Sequence, residues 1–208
     1  MCIRDSYTDS YAICYNKAVF DKYVVEYPKE GWNWNDYEAL AEELNSKIKA
    51  EGGNEFASAL AINEPAHGTL LLLTCNGAKL YNEDVTACAL NVPESVEMLE
   101  MVQRMVESGA QADYDTLVET NAASLFLSGL AGMIIICPDP GANGLFEGTS
   151  VKETLDYIAF PNGPTSGTNY IDTVTMNNIV INSGTTKFDA AWDFVKWYTT
   201  NQDCLLYT

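Results

Sequence analysis

Three kinds of side chain in this sequence invite chemistry: one histidine, His67, six cysteines, and 29 carboxylates. A histidine acting as general base needs a nucleophile within reach, and His67 has no neighbouring Cys or Ser in a catalytic frame. With one His and no close Cys, a zinc ligand set is not assembled either. His67 is read as a solvated loop or helix-cap residue. Of the cysteines, Cys14, Cys75, Cys88 and Cys137 lie away from the chain ends. Their spacing matches neither a zinc knuckle nor a redox C-x-x-C pair. Each sits among apolar or small residues, where a free Cys behaves as a small hydrophobe, so all four are expected to be buried thiols. No G-x-S-x-G elbow, P-loop or H-E-x-x-H run is present. A carboxylate pair of the glycosidase kind needs only two acids at the right separation, and 29 acids offer many pairs that the sequence does not place. That enzymatic alternative stays open, as does a non-catalytic interaction domain. No catalytic residue, metal or cofactor is assigned.

Charge narrows the partners. The chain carries 29 acidic against 11 basic residues, a net −18, and is repelled by phosphate backbones and anionic headgroups, which argues against nucleic acid. Its apolar content of 47% suffices for a core. The longest apolar runs, at Leu70–Leu73 and Met133–Cys137, fall far short of the roughly 20 residues that span a bilayer.

The elements that must position any site alternate between strand and helix, which predicts an α/β fold. Tyr11–Tyr15 reads as a strand and Asn16–Tyr23 as a short helix. After a polar, aromatic loop over Tyr27–Trp34, Asn35 with Glu38 reads as a capping box. The helix behind it puts Tyr37, Leu40, Ala41, Leu44 and Ile48 on one face. Phe56–Ile62 is a strand, Asn63-Glu64-Pro65 breaks it, and His67–Asn76 forms a further helix. Pro93 opens a long helix whose stripe is Val96, Leu99, Val102 and Val106, widened by Met98, Met101 and Met105, and Gly109 stops it. Leu117–Ser128 is a helix and Gly132–Cys137 a strand ending at Pro138-Asp139-Pro140-Gly141. In open α/β folds a ligand cleft sits at such a strand end. Leu155–Phe160 is a strand, Pro161–Thr168 the strongest breaker cluster, Met176–Ile181 a strand and Phe188–Thr199 a helix with Phe188, Ala191, Trp192, Val195 and Tyr198 facing one way.

Five of these stretches, in order, resemble one family: the solute-binding proteins of ABC importers, in the sugar-binding branch that includes maltose-binding protein. They are Ile13–Lys17 with Phe20, Trp34-Asn35-Asp36, Phe126–Gly129 with Ala131-Gly132-Met133, Tyr157–Pro164, and Asp189–Val195. The resemblance covers about Tyr11 to Gln202. It implies a periplasmic-binding-protein-like (type II) fold of two α/β lobes closing on a solute, the chain being a fragment that covers mainly the second lobe. Residues 11–158 would form that lobe, 159–203 the return crossing and part of the first lobe, and 1–10 a crossing segment. Met1–Ser6 and Cys204–Thr208 resemble translated sequencing-adapter ends, so 1–10 and 204–208 are expected to hold foreign sequence. A lone lobe is expected to leave apolar surface exposed and to dissolve poorly.

The resemblance also implies a function: a monomeric, exported protein, anchored as a lipoprotein at an extracellular or periplasmic face. It would bind a small-molecule solute, a saccharide above all, and deliver it to ABC permease membrane subunits. In such clefts aromatic faces meet C–H surfaces and fixed polar groups meet hydroxyls. The turn matching Asn63-Glu64-Pro65 places a carboxylate on sugar hydroxyls in that branch, so Asn63 and Glu64 are candidate ligand groups. Ala66 stands where a further aromatic is expected, and Asp139 where the family often has a Trp. That departure points to a different saccharide, or to a cationic or amide ligand. Tyr170 and Asp172 follow the return crossing as candidates from the other lobe. Trp34 and Trp192 fit helix packing, which leaves Trp32, in the polar loop, as the candidate stacking platform.

Overall fold

The computed structural model describes residues 5–8, 11–64, 68–136, 146–168 and 176–200. The chain divides into two compact units, one of Tyr11–Thr173 and one of residues 1–10 with 174–208. In the smaller unit, β1 (Asp5–Thr8) pairs antiparallel with the later strand at Met176–Asn178, and a helix covers Phe188–Thr200.

In the larger unit, β2 (Ala12–Asn16) passes directly into α1 (Lys17–Lys22), capped by the Asn16 side chain accepting from the Ala18 amide. Next come α2 (Trp34–Ala50), β3 (Phe56–Ser58), α3 (Leu70–Thr74), α4 (Pro93–Ser108), α5 (Tyr114–Glu119) and α6 (Ala122–Leu127). Then follow β4 (Ala131–Ile136) and β5 (Leu155–Ala159). The strands of the smaller unit complete the numbering as β6 (Met176–Asn178), and its helix is α7 (Phe188–Thr200).

The sheet of the larger unit has the order β3-β4-β2-β5. β3 runs parallel to β4, and β2 runs antiparallel to both β4 and β5. Ala12 lies opposite both Ile136 and Ala159, and Ser58 lies beside Met133. The C-terminal ends of β3, β4 and β5 therefore share one end of the sheet with the start of β2. Both faces are covered, as in doubly packed α/β sheets. Ile13, Met133 and Ile158 join α2 and α4 in one core, whereas Cys14 and Ile134 join Leu117, Leu125 and Phe126 in the other. Gly132 is required where β4 passes under α2, since a Cβ there would lie 2.8 Å from Leu44 Cδ2 and 2.9 Å from the Ala57 carbonyl.

Several expected elements shift. The cap of α2 is Asn33, not Asn35: its side chain accepts from the Asn35 and Asp36 amides, and Asp36 accepts from the Asn33 amide. Glu38 is instead spent on a bidentate pair with Arg104 of α4. The helix expected over Leu117–Ser128 is two helices, because Asn121 takes an extended conformation and caps α6. The core face of α4 is Met98, Met101, Val102 and Met105, with Val96 and Leu99 about half exposed. The strand expected over Phe56–Ile62 stops at Ser58.

Pro161–Thr168, the expected crossing, is held within the larger unit. Asn162 donates to the Trp32 carbonyl and its own carbonyl accepts from Trp34. Asn76, fully buried, accepts from the Thr165 and Ser166 amides and donates to Glu97 (2.6 Å), which also accepts from Thr165 Oγ1 (2.7 Å).

Candidate functional site

The end of β3 leads to the turn that carries Asn63 and Glu64, and a side chain continues the sheet there. Gln111, 1% exposed, accepts at Oε1 from the Leu60 amide (2.9 Å) and from Ser58 Oγ (2.7 Å), and its Nε2 donates to the Leu60 (3.0 Å) and Ala112 (2.8 Å) carbonyls. Tyr37 Oη lies 2.7 Å from Ser58 Oγ and extends the network into the core. Every polar atom of the Gln111 amide is satisfied, as a buried amide requires. Burial holds the Tyr37 hydroxyl far above the usual phenol range, so it stays protonated. Tyr37 is expected from sequence only as part of the apolar face of α2, and Gln111 and Ser58 are not expected at all, since a lone Gln between two alanines is too weak a signal.

Past Leu60 the chain turns. The Glu64 amide donates to the Ala61 carbonyl (2.9 Å), and Asn63 Nδ2 donates to the Leu117 carbonyl near the end of α5 (3.1 Å). Asn63 Oδ1 is enclosed and has no hydrogen-bond partner among the described residues. The Glu64 side chain is exposed and its carboxylate has no partner among the described residues. Of this predicted pair, then, Glu64 presents an exposed carboxylate with no partner among the described residues, and Asn63 ties the turn to Leu117 through its Nδ2. His67, with Pro65 and Ala66, lies outside the described residues, as do Asp139, Tyr170, Asp172 and Cys137.

Trp32 lies at the same end of the sheet, with Nε1 donating to the carbonyl of Ala159, the last residue of β5 (2.8 Å). It is only 6% exposed and its ring packs on Tyr37 at 5.6 Å. The residue expected as a stacking platform is thus largely inside, because its indole N–H finds a strand-end carbonyl. What remains visible borders an open groove of about 370 Å³ with Tyr27, Pro28, Asp36 and Glu43.

The described thiols do not form a reactive centre. Burial, aided by the charge of Asp156, pushes Cys14 up to about 12, and burial pushes Cys75 up to about 12, so neither supplies a thiolate nucleophile. Cys88 is exposed, against the expectation of burial, because Tyr81 and Cys88 pair as a bridge in a surface excursion. Among the described residues no cluster of three His, Cys, Asp or Glu is placed to hold a metal, and no helix is long and apolar enough to cross a membrane.

Among the described residues, this end of the sheet carries an exposed, unpartnered Glu64 carboxylate beyond β3 and, at the opposite edge beside β5, a largely buried Trp32 that borders an open groove. The family model described as bacterial extracellular solute-binding protein matches residues 3–203. No curated protein sequence matches the chain. Among solved structures, the chain is similar to an ABC substrate-binding protein from Listeria monocytogenes in complex with cycloalternan, with a TM-score of 0.72 and 23% identity over 97% of this chain and 49% of that one. It is similar to maltose-bound MalE3 of T. maritima (TM-score 0.68, 22% identity, 98% of this chain and 51% of that). It is also similar to the GacH receptor of Streptomyces glaucescens, solved unliganded and with acarbose (TM-score 0.67, 20% identity, 98% and 49%). The chain spans about half the length of these structures, and at such identities the likeness is one of fold.

Proposed function

We propose, for a chain that belongs to the bacterial extracellular solute-binding protein family, that it binds an extracellular solute, a sugar or oligosaccharide above all, and passes it unchanged to the membrane subunits of an ABC-type permease. The observation that carries this reading is the family match over residues 3–203. Neighbours of the same fold that hold cycloalternan, maltose and acarbose support the saccharide class. In the same proposal the protein works as a monomer, outside the cell or in the periplasm, anchored as a lipoprotein. The second lobe then spans 11–158, and the return crossing with part of the first lobe spans 159–203.

Glu64 is the group we assign to solute hydroxyls, since its carboxylate is exposed and unpaired among the described residues at the end where β3, β4 and β5 terminate. Asn63 supports it through Leu117. Asp139, Tyr170 and Asp172 are assigned as further ligand groups from their sequence positions, and Trp32 as an aromatic wall rather than an open platform.

A thermal-shift panel on the full chain tests this. Maltose, maltotriose and cyclic glucans are set against amino acids and polyamines, with each mixture analysed afterwards for conversion. A ligand bound only by the native state at a hundred times its Kd adds about 2.7 kcal/mol. Stabilisation by a saccharide that is recovered intact is the expected result. Stabilisation only by amines or amides would remove the saccharide class, and cleavage of the sugar would make the protein an enzyme.

A further inference from the structure

We propose that Thr69, with Gly68 beside it, is a positioning residue that aims Glu64 at the solute, an inference that rests on the solute-binding role assigned to Glu64 above. The turn folds back on itself through groups on both sides of Glu64. Thr69 Oγ1 donates to the Ile62 carbonyl (2.9 Å), two residues before Glu64. The Glu64 carbonyl accepts from the Gly68 amide (3.0 Å) and from the Thr69 amide (3.1 Å). Ahead of them the Glu64 amide is tied to Ala61 and the Asn63 side chain to Leu117. Both backbone polar groups of Glu64 are therefore bonded, while its carboxylate stays free among the described residues. The Cα of Glu64 is thereby held in place, which sets the point from which its carboxylate reaches and supplies the backbone part of preorganisation.

Gly68 has a steric part in this. A Cβ at position 68 would overlap the Ala61 carbonyl oxygen, so the returning chain crosses the turn at backbone contact, where only glycine fits. Upstream, Gln111 bonds both backbone groups of Leu60, so the turn is carried on an anchored strand end. Thr69 closes the loop at its downstream side, and α3 begins at the next residue. The hydroxyl of Thr69 is the one side-chain bond that joins the returning segment to the outgoing one among the described residues. Valine at that position keeps the shape and deletes the bond, and serine keeps the bond.

The test uses Thr69→Val, Thr69→Ser and Glu64→Gln in the full chain, with two readouts. Hydrogen exchange at the Gly68 and Thr69 amides needs no ligand. We expect about tenfold faster exchange in Thr69→Val and rates within about twofold of the parent in Thr69→Ser. Unchanged exchange in Thr69→Val overturns the proposal. Affinity for maltotriose, or for whichever saccharide of the panel stabilises the chain, supplies the second readout. Thr69→Val is expected to weaken it about tenfold, Thr69→Ser to restore it, and the loss to vanish in the Glu64→Gln background. Equal losses in both backgrounds mean Thr69 acts on stability alone and overturn the positioning role. If Glu64→Gln itself leaves saccharide affinity unchanged, the assignment of Glu64 fails, and this inference with it. If no saccharide binds, the saccharide reading fails and the positioning role fails with it, whatever the exchange rates show.

Discussion

Helices α2 and α7 carry the same kind of apolar periodicity and come to different ends. α2 buries Trp34, Tyr37, Ala41, Leu44 and Ile48, whose neighbours include Met133 of β4 and the methionine face of α4. α7 buries only Val195 and Thr199, and Phe188, Phe194 and Trp197 are each more than half exposed. Two-residue ring contacts between Phe194 and Trp197, and between Phe194 and Tyr198, are the helix packing against itself. A sequence pattern states which face of a helix wants cover. Whether cover arrives depends on a second element with a matching face, and in the larger unit the sheet supplies it.

The contrast is sharpest in the cost of deleting a side chain. Leu44→Ala is expected to cost about 3 kcal/mol in urea unfolding of the full chain, since the fully buried Leu44 of α2 packs directly on Gly132 of β4. A loss below about 1 kcal/mol would mean that the α2 contact with the sheet is looser than its burial indicates. Next comes Asn76→Ala, at about 2 kcal/mol, because it strands the Thr165 and Ser166 amides together. The accompanying sign is faster hydrogen exchange at those two amides, and unaltered exchange would show that the Gly163–Thr168 turn holds itself.

An ion-pair cluster at the edge of the larger unit gives a smaller, pH-dependent effect. Burial alone would raise the Glu55 carboxyl, but hydrogen bonds from Lys22 and from the Tyr23 hydroxyl outweigh it and bring it from 4.5 to about 2. A folded value below the unfolded one means that the unfolded chain binds more protons between them. The stabilisation is therefore complete above about pH 4.5 and lost as pH falls toward 2. With Lys22 half exposed, solvent screening reduces what the pair contributes, and we expect Glu55→Gln to cost about 1–2 kcal/mol at pH 7. The difference between parent and variant should shrink steeply from about pH 4.5 to 2 and vanish below that in acid-unfolding curves, and a constant gap across that window would contradict the assignment.

These cases also mark how far the sequence could be read. The alternation of strand and helix, and the strand at Met133, were legible because apolar runs bounded by Gly and Pro leave few choices. The cap of α2 was two residues off because Asn33 and Asn35 are equally able caps. The tie is broken by Asp36 at the third helical position and by the Asn162 carbonyl accepting from Trp34, a partner 128 positions away in the chain. On α4 the valine and methionine faces are equally apolar in one dimension, and only docking against the core selects the methionines. At the candidate site, Glu64 is proposed from its family-like turn. Gln111 is not expected, since nothing in the sequence marks a polar side chain as a substitute strand.

The smallest effect bears hardest on the comparison. If the outer face of α7 is open, Phe194→Ser and Trp197→Ser remove only ring contacts within the helix, Phe194 with Trp197 and with Tyr198, and each should change stability by less than about 0.5 kcal/mol. Both should raise solubility, because an exposed aromatic cluster drives association more than it stabilises the fold. The same substitutions at Trp34 or Tyr37, in the sealed core, would be expected to unfold the larger unit. Sedimentation across a range of protein concentration separates the readings. An open face gives self-association that both variants reduce, whereas a loss of about 2 kcal/mol or more in either variant would mean that α7 is covered in solution. In that event the difference between α2 and α7 would be one of partner identity, with both helices obeying the same rule of burial.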